Sequence, residues 1–200
     1  MFKRLLKSTF LFFLIGIVSC GNTSGKLDGE SKHENLKQSL DTIKADVITG
    51  AERVPEYLPL LENKAIGIVG NQTSVIRNSK GEFIHLVDSL QLLNVNIQKV
   101  FAPEHGFRGT ADAGEAVKDG VDSKSGLPLI SLYGNNKKPS AKSLEGIDLM
   151  IFDIQDVGAR FYTYISTLHY IMEACAENNI PSLILHRPNP NGHCLDASVL

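Results

Sequence analysis

The stretch VFAPEHGFRG, residues 100–109, brings a carboxylate, an imidazole and a guanidinium together as Glu104, His105 and Arg108, behind an apolar run and a proline. Three other groups follow the same plan of polar residues directly behind an apolar run. They are Asn71, Gln72 and Thr73; Asp153, Gln155 and Asp156, continued by Arg160, Tyr162 and Tyr164; and Arg187, Asn189 and Asn191. Carboxylates with hydrogen-bonding neighbours suit acid–base chemistry, and in glycoside hydrolysis one acid protonates the leaving oxygen while a second carboxylate stabilises or attacks the anomeric carbon or activates water. Glu104, with His105 beside it, suits the proton donor. Phe101, Pro103 and Phe107 offer it an apolar setting that disfavours the charged form, against the pull of Arg108 and a protonated His105. The partner carboxylate is one of Asp153, Asp156, Asp112 and Glu115. Asp153 and Asp156 are preferred, because a strand end fixes position better than a loop.

Other chemistries find less support. His105, Asp112, Asp153, Asp156 and His169 are types that ligate metals, but there is no HExxH, no paired CxxC and no calcium-loop pattern, and His169 falls beside an apolar helical stripe where a packed histidine is expected. No metal and no cofactor are expected. A nucleophilic serine lacks its G-x-S-x-G elbow. The run GIVGNQTS lacks the glycine pattern of a dinucleotide or phosphate-binding loop.

The elements that must position these residues are legible as an alternation. KAIGIVGN (64–71), NIQKVFAPE (96–104), LPLISLYG (127–134), DLMIFDIQD (148–156) and PSLILHRP (181–188) are short, rich in Ile, Val, Leu and Phe, and bounded by Gly, Pro, Asn or Asp. Near-continuous apolar runs suit strands covered on both faces. Phe83, Leu86, Val87, Leu90 and Leu93 recur at helical spacing between the first two runs. The stretch from about Tyr162 to Glu177 does the same between the last two, until NNIP stops it. This rhythm predicts an α/β fold with a mainly parallel sheet. Ligands of such sheets settle beyond the carboxyl ends of the strands, and all four polar groups lie on that side.

Composition places limits on the partners. The 200 residues are 42% hydrophobic and 21% charged, an ordinary globular balance. Lys3, Arg4 and Lys7 precede the apolar run STFLFFLIGIV, which is short for a bilayer span but suits a signal peptide. The following IVSC looks like a lipoprotein lipobox, which makes residues 1–19 a leader and Cys20 the lipidation site, holding the protein at a membrane surface without a spanning segment. Residues 20–46 are polar and lack aromatics, and read as a flexible tether to a folded domain over 47–200, with Leu36, Leu40 and Ile43 as a weak helix. Loss of the leader removes three of 20 basic residues and none of the 22 acidic ones, leaving about −5, a balance that disfavours nucleic acid as a partner. Cys175 and Cys194 then remain, too few for a disulfide framework. Cys175 follows Ile165, Leu168 and Met172 on a helical face and reads as a small buried apolar residue.

Taken in order, NQT, FAPEHGFRG, DAGE, SLYG, FDIQDVGARFYTYISTLHYIMEA and RPNPNG resemble the NamZ-like exo-β-N-acetylmuramidases of bacterial cell-wall recycling, over roughly residues 54–192. The resemblance implies a Rossmann-like domain joined to a smaller carboxyl-terminal domain, with the active cleft between them. It also implies removal of N-acetylmuramic acid from the non-reducing ends of peptidoglycan fragments, with Glu104 in the position of the catalytic acid or base. An exported, membrane-tethered protein on the periplasmic or outer-membrane face would meet that substrate. Muramic acid carries a lactyl carboxylate, and a guanidinium offers such a group a forked, charge-assisted pair of hydrogen bonds. Arg108 or Arg160 is therefore expected to select it. Asn71, Gln72, Gln155, Tyr162, Tyr164, Arg187 and Asn189 are expected to contact the sugar.

Two features depart from the family. His186 stands before RPNP where relatives carry an aspartate, and CLDASVL stops at Leu200 about where the pattern would continue into the second domain. The smaller domain is therefore expected to be missing. A peptidoglycan-binding lipoprotein without turnover, and an inactive fragment, are the alternatives to a hydrolase.

Overall fold

The five apolar runs fold as five parallel strands. The computed structural model describes residues 47–109, 118–159 and 161–193. The expected leader, Cys20, the tether, Asp112, Glu115, Arg160 and Cys194 lie outside them. After a short 3-10 turn (Gly50–Glu52) come helix α1 (Val54–Leu61), strand β1 (Ile66–Gly70), the hairpin β2 (Val75–Arg77) and β3 (Phe83–His85), helix α2 (Leu86–Leu92) and β4 (Ile97–Ala102). Then follow β5 (Gly120–Val121), β6 (Pro128–Ser131), α3 (Ala141–Leu144), β7 (Leu149–Asp153), α4 (Tyr164–Glu177) and β8 (Ser182–Ile184).

The larger sheet has the order β5-β6-β4-β1-β7-β8. β5 runs antiparallel to β6, and the other neighbours are parallel. Counting only the parallel strands in chain order, the arrangement is 3-2-1-4-5, the doubly wound order of a Rossmann-like sheet. The chain builds outward from β1 in one direction and then returns to build from its other side. The strand order therefore reverses between β1 and β7, the switch point where sheets of this order hold a ligand crevice.

Central position explains the composition of β1 and β7, since every residue of IGIVG and of LMIFD is buried. Alternation sends Ile66, Ile68, Val100, Ala102, Leu149 and Ile151 to one face, against α1 and α2. Val69, Phe101, Met150 and Phe152 face the other way, against α4. Helices on both faces thus seal a sheet with little polar surface of its own.

Two expected helices begin or face differently. Phe83 belongs to β3 and is exposed, because Asn78 accepts hydrogen bonds on Oδ1 from the Lys80 and Glu82 amides and turns the chain back onto β2. Its match to the period of Leu86, Val87 and Leu90 is a coincidence of spacing. In α4 the buried stripe is Tyr164, Thr167, Ile171, Ala174 and Cys175. Cys175 is buried as a small apolar residue, but Ile165 and Met172 face solvent and His169 is exposed. Asn179 ends this helix at φ 56°, with the Ile180 amide donating back to the Cys175 carbonyl at 2.9 Å.

Candidate active site

Gly70 lies in register with Asp153, and Val69 with Phe101, so the segments leaving β1, β4 and β7 emerge side by side. The segment after β1 is shaped by its own side chains. Asn71 Oδ1 accepts from the Thr73 amide at 2.8 Å and the Thr73 hydroxyl at 2.6 Å, while the Asn71 amide donates to Ser74 Oγ at 2.9 Å. The Ser74 hydroxyl in turn donates to the Asp153 carbonyl, and Thr73 Oγ1 accepts from the Gln155 amide at 3.0 Å. These bonds stitch the β1 turn to the end of β7 across the crevice. They also engage Asn71 Oδ1 and leave Asn71 Nδ2, on a residue with 0% exposure, without a hydrogen-bond partner among the described residues.

After β4 the chain reverses at once. The Gly106 amide donates to the Pro103 carbonyl at 3.1 Å, and His105, third in that turn, has φ 71°. A positive φ at a histidine is a strained conformation of the kind that collects at functional sites. Both Glu104 and His105 are half-buried there. Phe107 turns inward onto the His85 ring, 4.6 Å between centroids. Gly109 passes so close to Gln72 that a Cβ would meet the Gln72 Cβ at 2.8 Å, which lays Gln72 along this loop.

Arg108 differs from its expected role. Its Nε and Nη2 donate to Asp122 at 3.0 and 2.7 Å, and its Nη1 and Nη2 donate to Asp88 at 3.1 and 2.8 Å. Both edges of the fork are committed to internal carboxylates. The residue braces the loop against α2 and the β5–β6 turn instead of offering a free fork to a ligand. Arg108 holds the Asp122 carboxyl far below the usual carboxylate range. Of the two arginines expected to select a carboxylate, Arg160 lies outside the described residues.

Asp153 also departs from expectation. It is fully buried, and Arg187 clasps it with Nε to Oδ1 at 2.6 Å and Nη2 to Oδ2 at 3.0 Å, while Nη2 also reaches the Val75 carbonyl at 2.9 Å. Burial pushes the Asp153 carboxyl upward, with Arg187 pulling the other way. Neither partner presents its charge to a ligand, so this pair braces the crevice from beneath. Asp156 stays half-buried, with Oδ2 accepting from the Gly158 amide at 3.1 Å. Gln155 Nε2 spans from the Asp156 carbonyl to the Pro188 carbonyl, 2.7 and 2.9 Å, which ties this loop to the one after β8. The Asn189 amide rests on Gly158, where a Cβ would come within 2.2 Å of Asn189 Nδ2, and Asn189 Oδ1 accepts from the Asn191 amide. His186 is exposed, with its backbone carbonyl accepting from the Gly50 amide.

Tyr164 gathers what remains. Its hydroxyl lies within electrostatic reach of Glu104, Tyr162 and the amides of Asn71 and Gln72. Burial raises its pKa first, the two amides oppose this, and the Glu104 charge adds to it. Tyr162 is 47% exposed with its ring 6.4 Å from that of Tyr164, and Phe161 beyond it is 85% exposed. Glu104, Asn71, Gln72, Tyr162 and Tyr164 therefore form one neighbourhood beside the strand-order reversal. Among the described residues, no three His, Cys, Asp or Glu side chains gather as a metal site.

The family model for the amino-terminal part of the exo-β-N-acetylmuramidase NamZ matches residues 66–200. The chain belongs to the NamZ family. A peptidoglycan β-N-acetylmuramidase NamZ of Bacillus subtilis (strain 168) is 40% identical over 189 residues, which cover 94% of this chain and 44% of that protein. Two crystal structures of DUF1343 family proteins from Bacteroides fragilis NCTC 9343 share the fold. One has TM-score 0.64 and 46% identity over 78% of this chain and 39% of that one; the other has 0.63 and 42% over 72% and 35%. The chain thus spans less than half the length of these relatives. Ser74 and His85, which shape the β1 turn of this NamZ domain, are not among the residues expected from the sequence. His85 is detectable only as the polar residue capping α2, where its ring accepts from the Val87 amide.

Proposed function

We propose that this domain forms the catalytic rim of an exo-β-N-acetylmuramidase, which removes N-acetylmuramic acid from the non-reducing ends of peptidoglycan fragments with Glu104 as general acid and base. The observation that carries this reading is the position of Glu104: half-buried on a strained turn at the end of β4, next to the strand-order reversal and within electrostatic reach of Tyr164. The name of the Bacillus subtilis relative supports the substrate class. In the reaction the bond between the anomeric carbon and the glycosidic oxygen breaks, the Glu104 proton goes to that oxygen, and water supplies the new hydroxyl while its other proton restores the protonated acid by way of the site's carboxylates. Of the described carboxylates considered as its partner, Asp153 is sealed by Arg187, which favours Asp156. Tyr162 offers an exposed ring to a sugar face, while Asn71, Gln72 and Tyr164 supply polar contacts at the crevice.

A chromogenic muramide tests the reading. The chain releases the chromophore, and Glu104→Gln abolishes release while retaining cooperative unfolding. Muropeptide binding without turnover, with affinity kept in the Glu104→Gln variant, would replace hydrolysis by a binding role. Export and lipid anchoring at Cys20 form part of the same proposal, since a tethered enzyme meets its substrate outside the cytoplasm. Cys20→Ala moves the protein from the membrane to the soluble fraction of its host, and an unchanged distribution would remove the anchor from the scheme.

A further inference from the structure

Among the described residues His85 is the buried histidine, 6% exposed, and the proposed reaction does not use it. It sits where three pieces of the site meet. Its Nδ1 accepts from the Val87 amide at 3.3 Å, capping α2. That bond puts the ring proton on Nε2, which lies 3.0 Å from the Asn71 carbonyl and donates to it. Its ring packs against Phe107, three residues beyond Glu104. The β1 turn, the Glu104 loop and the start of α2 are therefore fastened to one imidazole.

The ring is held neutral. Burial dominates and Arg108 on the facing loop adds to it, while the bond to the Asn71 carbonyl, Asp88 on α2 and Asp122 near β5 pull the other way without restoring the charge. A neutral ring can donate on one nitrogen and accept on the other, which both bonds require. The consequence falls on Asn71. Its carbonyl is held by the His85 ring and the Ser74 amide, and its Oδ1 by Thr73, so the side chain cannot turn. Nδ2 is then kept on the side of Tyr164, the residue on which Asn71, Gln72 and Glu104 all act. An amide donor buried without a geometric hydrogen bond of its own is held in place by the bonds its residue makes elsewhere, and here it acts on the Tyr164 hydroxyl.

We infer that His85 is a positioning residue for the proposed muramidase reaction: through its Nε2 bond to the Asn71 carbonyl it keeps the Asn71 amide aimed at Tyr164 beside Glu104. The inference rests on the proposed function. Two variants separate positioning from packing. Glutamine at 85 can reach the Asn71 carbonyl with its Nε2 but cannot cap α2, whereas asparagine can cap α2 but cannot reach Asn71.

The experiment measures kcat and KM on a chromogenic muramide, with thermal unfolding of each variant. His85→Gln keeps kcat within about threefold of the parent, while His85→Asn loses about 10- to 50-fold in kcat with KM within twofold, the scale of one lost hydrogen bond. In an Asn71→Asp background, which keeps the Oδ1 bonds and removes the amide donor, His85→Asn adds less than twofold, because coupled residues are not additive. Equal kcat for the two His85 variants, or a full second loss in the Asn71→Asp background, would overturn the inference while leaving the hydrolase intact. An unsubstituted chain without turnover would refute the proposed function itself, and the role of His85 in that reaction with it.

Discussion

Asp153 and Glu104 end strands on either side of β1, at the same edge of one sheet, yet their surroundings are opposite. Asp153 is fully buried and gripped by both nitrogens of a guanidinium edge, and the Ser74 hydroxyl closes on its carbonyl. Glu104 stands on a strained turn, half-buried, with Tyr164 in reach. On the proposed function these two carboxylates take different work, because environment decides whether a charge can meet a ligand. A charge sealed in a fully buried ion pair supports the fold, whereas the half-buried Glu104 is the one proposed to transfer a proton. Both described arginines at this edge fall on the sealed side of the contrast: Arg187 is paired with Asp153, and Arg108 braces the loop that carries Glu104 through Asp88 and Asp122.

The sharpest break in this comparison is functional. Glu104→Gln is expected to lower kcat by about 10²–10⁴-fold, the range of general acid–base catalysis, with cooperative unfolding retained. If Asp153→Asn produced that loss in a protein of unchanged stability, the two roles would be exchanged. The next effect belongs to the sealed pair. Arg187→Met leaves Asp153 buried and uncompensated and is expected to destabilise the domain by about 3–5 kcal/mol in urea unfolding, whereas a double replacement by apolar residues recovers much of this. A single variant no worse than the double one would show that the pair is not the brace described.

A third effect is read with pH. His85 is held neutral with its pKa lowered to about 4 from the ordinary 6.5, so between these values the unfolded chain binds the proton and the folded one does not. Its contribution is fully present above pH 6.5 and is lost as pH falls toward 4, on the order of 3 kcal/mol. Denaturant midpoints should drop across that window, and the drop should shrink in His85→Gln. The smallest effect is at the outer clasp. Asp122→Asn removes one of the two carboxylates on Arg108 and is expected to cost about 1–3 kcal/mol. Asp88 remains, so loss of the fold by this change would place Arg108 on a level with Arg187.

The chain's periodic content made the architecture legible. Short runs of Ile, Val, Leu and Phe between turn residues mark central strands whatever surrounds them, and all five became β1, β4, β6, β7 and β8. The hairpin of β2 and β3 was not legible, since three-residue strands carry too little pattern and Phe83 happened to match the period of the helix behind it. The buried stripe of α4 lies one residue out of phase with the expected one, because Ile165 and Met172 are as apolar as the residues that face the core.

The sequence by itself determined which residue types reach the carboxyl edge of the sheet, because strand ends follow from local apolar runs and from Pro, Gly and Asn behind them. Only the tertiary structure decided what each type does there. Which carboxylate is sealed and which is only half-buried, and that Arg108 and Arg187 both face other side chains, depend on partners far apart in the chain. Asp153 and Arg187 are 34 positions apart, and Arg108 and Asp88 are 20. No local pattern encodes such pairings, because they arise when the strands of the sheet come into register.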